Sequence, residues 1–330
     1  MARQAFEKKI EGLEALRRSS DPAEIVAALR KALQDRNNYL VSKAAAIAGD
    51  LRLEDLTPDL IAAFDRFFPD PVKQDPVKSD PQCWAKNAIA KALKDLGCRQ
   101  ASVFLRGIDY VQLEPVWGGS SDSAITLRGA CTLALVDCQL DDLEILTHLA
   151  DRLADKEKSV RVDAALAIAQ FGREEGAPLL RLKLLLGDRE PEVIGQCCFS
   201  LLNLAPRQAL PLLQRLLNHA EEEVRTEAAS ALAASREPEA IEILKSFWKG
   251  KVSAEVRRAI LISLGASPLR SAADFLLAVF SEPQGEWAAE ALSALASSRF
   301  HEELREAAKK AMEASGDAGL RQLFEGKFGR

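Results

Sequence analysis

VRVDAALAIAQFG, residues 160–172, decides the fold, because the chain repeats it. VRTEAASALAAS begins at Val224 and VRRAILISLGAS at Val256; WAAEALSALASS at Trp287 and LRGACTLALVD at Leu127 follow the same pattern with other first residues. With that first position as anchor, the pattern recurs at Leu40, Ala85, Leu127, Val160, Val193, Val224, Val256 and Trp287, at intervals of 45, 42, 33, 33, 31, 32 and 31 residues. A fixed period of this length means stacked repeats rather than one globular core. The two long intervals mean insertions.

Around each anchor the pattern is helical. Offset four is Ala44, Ile89, Cys131, Ala164, Cys197, Ala228, Ile260 or Ala291; offset seven is Ile47, Ala92, Ala134, Ala167, Ser200, Ala231, Ser263 or Ala294; offset eight is Ala48, Leu93, Leu135, Ile168, Leu201, Leu232, Leu264 or Leu295. Offsets 0, 4, 7 and 8 form one helical stripe. Small residues at offset seven let neighbouring helices approach closely, and aliphatic side chains at offset eight fill the layers. An amphipathic helix precedes each stripe, as EEGAPLLRLKLLLG does from Glu174, with DREP as the link, Asp188 as a cap and Pro191 in the first turn of the next helix. One such helix pair cannot bury its stripe alone; a stack can.

The residue after the anchor is basic at Lys86, Arg128, Arg161, Arg225 and Arg257. In the first turn of the second helix such a side chain ties the preceding turn to the neighbouring repeat, with Asp155 as a partner for Arg161. Other positions of that helix, Lys86, Lys91, Arg128, Asp163, Glu227, Arg258 and Glu290, read as exposed, and their mixed charge makes no basic stripe.

The pattern D-x-x-x-x-V-R-x-x-A-A-x-A-L after an amphipathic helix resembles HEAT repeats of the bacterial, phycobilin-lyase-like subtype, over residues 20–315. The resemblance implies an all-α fold: a right-handed α-α superhelix, a HEAT-type solenoid of about eight helical hairpins with helical caps, the first helices convex and the second concave. The expected organisation is a single domain over 1–330. A cap helix covers 1–20, eight repeats fill 21–299 with insertions at 69–82 and 108–122, and a polar cap and tail occupy 300–330.

Composition bounds the function. Of 330 residues, 48% are hydrophobic and 6% aromatic, so the interior is built of Ala and Leu. A net charge of −5, from 44 basic and 49 acidic residues, gives no strong nucleic-acid or anionic-membrane signal. The N-terminus is charged and helical rather than an apolar leader, and no run reaches membrane-spanning length. Six cysteines, at 83, 98, 131, 138, 197 and 198, have no CxxC spacing and read as reduced core residues of a cytoplasmic protein. Three scattered histidines read as surface residues. There is no Gly-rich phosphate loop, HExxH or GxSxG. The reading is therefore no catalytic residue, no metal and no cofactor.

What remains is the two insertions. PDPVKQDPVKSDPQ (69–82) carries four prolines, which predict an extended, stiff loop; IDYVQLEPVWGGSSD (108–122) predicts a short extended segment at Tyr110–Leu113, then turns at Pro115 and Gly118-Gly119. Both fall in the turn between first and second helix of consecutive repeats. Such turns line one edge about 10 Å apart, so the loops should touch. Trp84, Tyr110 and Trp117, three of the chain's six Trp and Tyr, lie here. With Lys86, Asn87, Gln112, Glu114, Asp122 and Arg128 they form the candidate partner-binding set, while Asp80 and Asp122 also read as helix caps. The expected function is a non-catalytic scaffold, monomeric, binding a protein or peptide through the concave face, this loop edge, or both. The alternative, implied by the resemblance, is an enzyme or enzyme subunit, bilin-lyase-like or alkylpurine DNA glycosylase-like.

Overall fold

The computed structural model describes residues 2–69, 75–282 and 285–329. The chain forms two compact units, 1–171 and 172–330.

In the first unit, α1 (Ala2–Ala15) is followed by four helical hairpins. They pair α2 (Pro22–Leu33) with α3 (Asn38–Asp50) and α4 (Thr57–Arg66) with α6 (Trp84–Asp95); α7 (Ala101–Ile108) with α8 (Ile125–Leu135); and α9 (Asp142–Leu153) with α10 (Lys158–Phe171). A single turn, α5 (Pro76–Ser79), lies between α4 and α6. The second unit pairs α11 (Ala177–Leu186) with α12 (Pro191–Leu204), α13 (Pro206–Leu216) with α14 (Glu222–Ala234), α15 (Pro238–Trp248) with α16 (Ala254–Gly265), and α17 (Arg270–Phe280) with α18 (Ala288–Ser297). It closes with α19 (His301–Ser315) and α20 (Ala318–Phe328). Within each unit the second helices of successive hairpins pack side by side, α3, α6, α8 and α10 in one and α12, α14, α16 and α18 in the other.

The repeat grammar is the core. Every residue at offsets 0, 4, 7 and 8 is buried except Ser263, which is half-buried. Close approach has its own requirement: Gly49 of α3 faces Ala92 of α6, where a Cβ would come within 3.2 Å of the Ala92 Cα. Punctuation follows local chemistry. Asp21 accepts from the Ala23 and Glu24 amides at 2.9 and 3.3 Å, and prolines open α2, α12, α13 and α15, where a missing N–H is no loss. The link before α12 differs slightly from expectation: Glu190 is its N-cap, and the Asp188 carboxylate accepts from the Glu190 amide.

The basic residues after the anchors tie helix ends, as expected. Arg161 donates to the Asp155 and Lys156 carbonyls, Arg225 to those of His219 and Ala220, and Arg257 to those of Trp248 and Gly250. Each guanidinium sits at the carbonyl end of a helix, where positive charge is favoured.

Three expectations are corrected. Beyond residues 70–74, which include Pro71 and lie outside the described residues, the first insertion is helical: α5 and a 3-10 turn at Pro81–Cys83 each begin with proline at the first position, where it is tolerated. The second insertion is a β-hairpin, β1 (Leu113–Val116) against β2 (Gly119–Asp122), with Pro115 inside a strand opposite Ser120. Its turn is Trp117-Gly118, and Gly118 adopts φ +90°, a left-handed conformation that glycine takes without cost. Finally, the C-terminal tail is helical. Asp317 caps α20, which stacks Phe324 on Phe328 at 4.8 Å and buries both.

Candidate functional site

The two insertions do touch, through a buried polar network that begins at the start of α6. Asp80 is fully buried. Its Oδ1 accepts from the Ala85 amide at 2.9 Å and from Asn38 Nδ2 at 2.8 Å; its Oδ2 accepts from the Lys86 amide at 3.0 Å. The aspartate thus caps α6 and faces the Lys86 ammonium at 3.1 Å. Lys86 is itself completely buried, with its Nζ 5.7 Å from the Phe68 ring centre and 5.2 Å from that of Tyr110. A buried cation needs such a carboxylate, and the two ring faces add attraction.

The hairpin is bolted to this pair. Gln112 Nε2 donates to the Asp80 carbonyl and to Glu114 Oε1, both at 2.8 Å, and Tyr110 Oη donates to Gln112 Oε1 at 3.0 Å. Glu114 is the acceptor at the centre. It takes the Gln82 amide at 2.7 Å, Gln82 Nε2 at 3.1 Å and Ser123 Oγ at 2.6 Å. Burial alone would raise the Glu114 pKa. The hydrogen bonds from Ser123, Gln112 and Gln82, with the charge of Lys86, instead hold it below the usual carboxylate range.

A second hub lies on the other side of the hairpin. Asp122 Oδ1 accepts from the Gln112 and Ala124 amides, and its Oδ2 takes Arg128. Arg128 also donates to the Tyr110 carbonyl at 3.0 Å and forks onto Asp155 at 3.0 and 3.3 Å. Asp155 takes Arg152 as well, which reaches back to the Ile108 carbonyl and to Asp109. Asn87 Nδ2 holds the Ser123 carbonyl at 3.0 Å. Hence both ends of the inserted segment are fixed to helices of two neighbouring repeats.

The backbone entering α6 is strained. Gln82 (φ +61°) and Cys83 (φ +51°) are consecutive left-handed residues with side chains, each costing on the order of 1–2 kcal/mol. They are held by the Glu114 bond to the Gln82 amide and by the Asp80 carbonyl, which accepts from the Cys83 amide at 3.0 Å.

The nine candidates are therefore gathered in one place but divide by exposure. Lys86, Gln112, Glu114 and Arg128 are buried, and Asn87, Tyr110 and Asp122 are partly buried; each takes part in the network, although the buried Asn87 Oδ1 has no hydrogen-bond partner among the described residues. This corrects the expectation that Lys86 and Arg128 line an open helix face: the insertions cover them. Trp84 is 45% exposed, with its ring against Tyr39 at 5.0 Å, and Trp117 is wholly exposed at the hairpin tip. Val116 beside it, and Val111 and Leu113 towards the base of the hairpin, are also exposed. Sequence reading missed Tyr39, Asn38, Phe68, Gln82 and Ser123 as members. Only their placement opposite the insertions, one repeat away or in the flanking turns, reveals them.

All six cysteines are free and buried. Burial pushes the Cys83 and Cys197 thiols up to about 12, so neither supplies a thiolate at neutral pH. Among the described residues no group of three or more His, Cys, Asp or Glu is placed to hold a metal ion, and no helix is long and apolar enough to cross a membrane.

The HEAT-repeat family model matches residues 179–265. No curated protein matches the chain in sequence at a significant level. Among solved structures, a homology model of the full-length AP-3 complex is similar over 93% of this chain and 57% of that one, with a TM-score of 0.56 at 13% identity, which shows a shared fold. The complex of CpcE and CpcF of phycocyanin lyase from Nostoc covers 88% of this chain and 94% of that one at 18% identity, with a TM-score of 0.36. Human deoxyhypusine hydroxylase covers 79% of this chain and 97% of that one at 17% identity, with a TM-score of 0.30. The periodic stripe, the paired helices of both units and the family match over residues 179–265 agree: the chain has an all-α fold of stacked helical hairpins of the HEAT-repeat kind.

Proposed function

We propose that this protein is a non-catalytic interaction scaffold that grips a protein or peptide partner with the composite loop edge, the exposed second-helix face offering further contact. One observation carries the reading: a wholly exposed Trp117 stands at the tip of a hairpin whose base is fixed by the Asp80–Lys86 and Asp122–Arg128–Asp155 hubs. A free indole in water gains nothing for folding, whereas burying one against a partner makes an interface anchor. The ordering needed to present it has been met within the fold, so binding costs little further entropy.

The mode is side-chain insertion. Pro115 has no N–H to offer at the middle of β1, which disfavours addition of a partner strand there. Val116, exposed and next to the indole in sequence, would enter the same apolar cleft. In this reading Lys86, Asn87, Tyr110, Gln112, Glu114, Asp122 and Arg128 position the contact residues Trp84 and Trp117. The buried thiols support a reducing compartment, which we take to be the cytoplasm. The test is recovery of partners on immobilised wild type against a folded Trp84→Ala, Trp117→Ala double variant. A specific partner lost from the variant supports the reading, and unchanged recovery overturns it.

A further inference from the structure

The second helices of both units carry a repeated device: a glycine two residues after one anchor lies under an acid three residues after the next. Gly129 of α8 lies under Asp163 of α10, and Gly195 of α12 under Glu227 of α14. At each glycine a methyl group would collide with a carboxylate oxygen. The glycine lets the acid fold down into the crevice between adjacent helices, where water is partly excluded.

The two copies differ in what faces the acid. Near Asp163 stands the positive charge of Lys94. Near Glu227 stands another carboxylate, Glu192. No described side chain hydrogen-bonds to or ion-pairs with Glu227, although it is partly buried. Burial, then the charge of Glu192, raise its pKa, a cost that an uncompensated acid places on the fold. A second feature of the same place is aromatic. Phe199, a large apolar side chain that this fold would otherwise bury, is 38% exposed. Phe199, Gln196, Glu192 and Glu227 line one open groove of about 320 Å³ between α12 and α14. A carboxylate without a donor beside an exposed ring is the complement of a guanidinium, which takes hydrogen-bonded charge on one side and a ring face on another.

We propose that the groove between α12 and α14 receives the guanidinium of an arginine from a basic segment of a partner protein, with Glu227 as the pairing acid and Phe199 as the stacking surface. The inference deepens the scaffold reading, because it treats the exposed second-helix face as a binding face and gives its partner a chemistry. It is independent of the hairpin.

The test uses the full chain and a fluorescein-labelled hexa-arginine peptide, with hexa-citrulline as the uncharged isostere, followed by anisotropy. Hexa-arginine binds and hexa-citrulline does not. Glu227→Gln, which keeps shape and removes charge, weakens binding about tenfold or more, and Phe199→Ala weakens it as well. Glu313→Gln, which removes one exposed charge from α19, changes it less than about twofold. Trp117→Ala leaves it intact, so failure of this site and failure of the hairpin are read separately. No hexa-arginine binding overturns the proposal, as does equal loss in Glu227→Gln and Glu313→Gln, which reports only net charge.

Discussion

Asp80→Asn should be among the most damaging single-atom changes available in the first unit. The carboxylate takes three donors, the Ala85 and Lys86 amides and Asn38 Nδ2, and ion-pairs with the Lys86 ammonium. An amide can serve the donors on its oxygen, but its NH₂ then faces the remaining amide and the ammonium. Loss of one cap bond costs on the order of 1 kcal/mol. The larger effect is the uncompensated charge, because Lys86 is fully buried and cannot reach water. Breaking a buried pair from one side costs about 3–5 kcal/mol. Lys86→Met alone should cost less, because the carboxylate keeps its amide donors. Adding Lys86→Met to Asp80→Asn should recover about half or more of the loss, because the stranded cation is gone. Urea unfolding followed by far-UV circular dichroism measures this, read as the transition of the first unit, since two units need not unfold together. A loss under about 1 kcal/mol for Asp80→Asn, or no rescue by Lys86→Met, would refute the claim that this pair anchors the loop edge.

Other consequences follow. Trp117→Ala should shift stability by no more than about 0.5 kcal/mol, since the ring touches nothing, whereas Trp248→Ala should cost about 3–5 kcal/mol; thermal melts separate them. Trp248 is buried against Phe275 and Trp287, with Arg257 over its ring. The Asp163 carboxyl, pushed up to about 6 by burial despite Lys94, should titrate there by NMR. Because its folded pKa lies above its ordinary value, the folded state holds the proton more tightly, so this contribution to stability is present at low pH and lost as pH rises through about 6. Asp163→Asn should accordingly stabilise the first unit by about 1 kcal/mol at pH 7.5 and have little effect near pH 3. Native protein should leave its six thiols unreactive towards a disulfide reagent, and unfolding in urea should release all of them.

The parts of this fold that repeat were readable from sequence, because repetition supplies its own alignment. Pro191 opens α12 in its first turn, as read, and the stripe at offsets 0, 4, 7 and 8 is the core. The meeting of the two insertions followed from register alone. Their internal structure did not. The turn expected at Gly118-Gly119 is there, at Gly118, but Pro115 also read as a turn, since nothing local shows that Ser120 will lie opposite it. Lys86 and Arg128 read as exposed, since Lys and Arg ordinarily are, and their burial depends on where the inserted segments fold back, with Phe68 and Tyr110 over Lys86 and with Tyr110 and Asp122 on Arg128. The division of the aromatics, with Trp117 free and Tyr110 engaged, depends on the turn that lifts one and the bond from Tyr110 to Gln112 that holds the other. The helical tail was hidden because Gly319 and Gly326 weaken its periodicity, and tertiary packing of two phenylalanines decides it.

The central claim is that the hairpin tip is where a partner is held. Site-specific photo-crosslinking tests it most directly, with benzoylphenylalanine in place of Trp117 and, as a control at another exposed apolar position, in place of Leu143 on α9. The account predicts a discrete protein adduct from position 117 that is missing from position 143. No adduct from 117, or the same adducts from both positions, would contradict it.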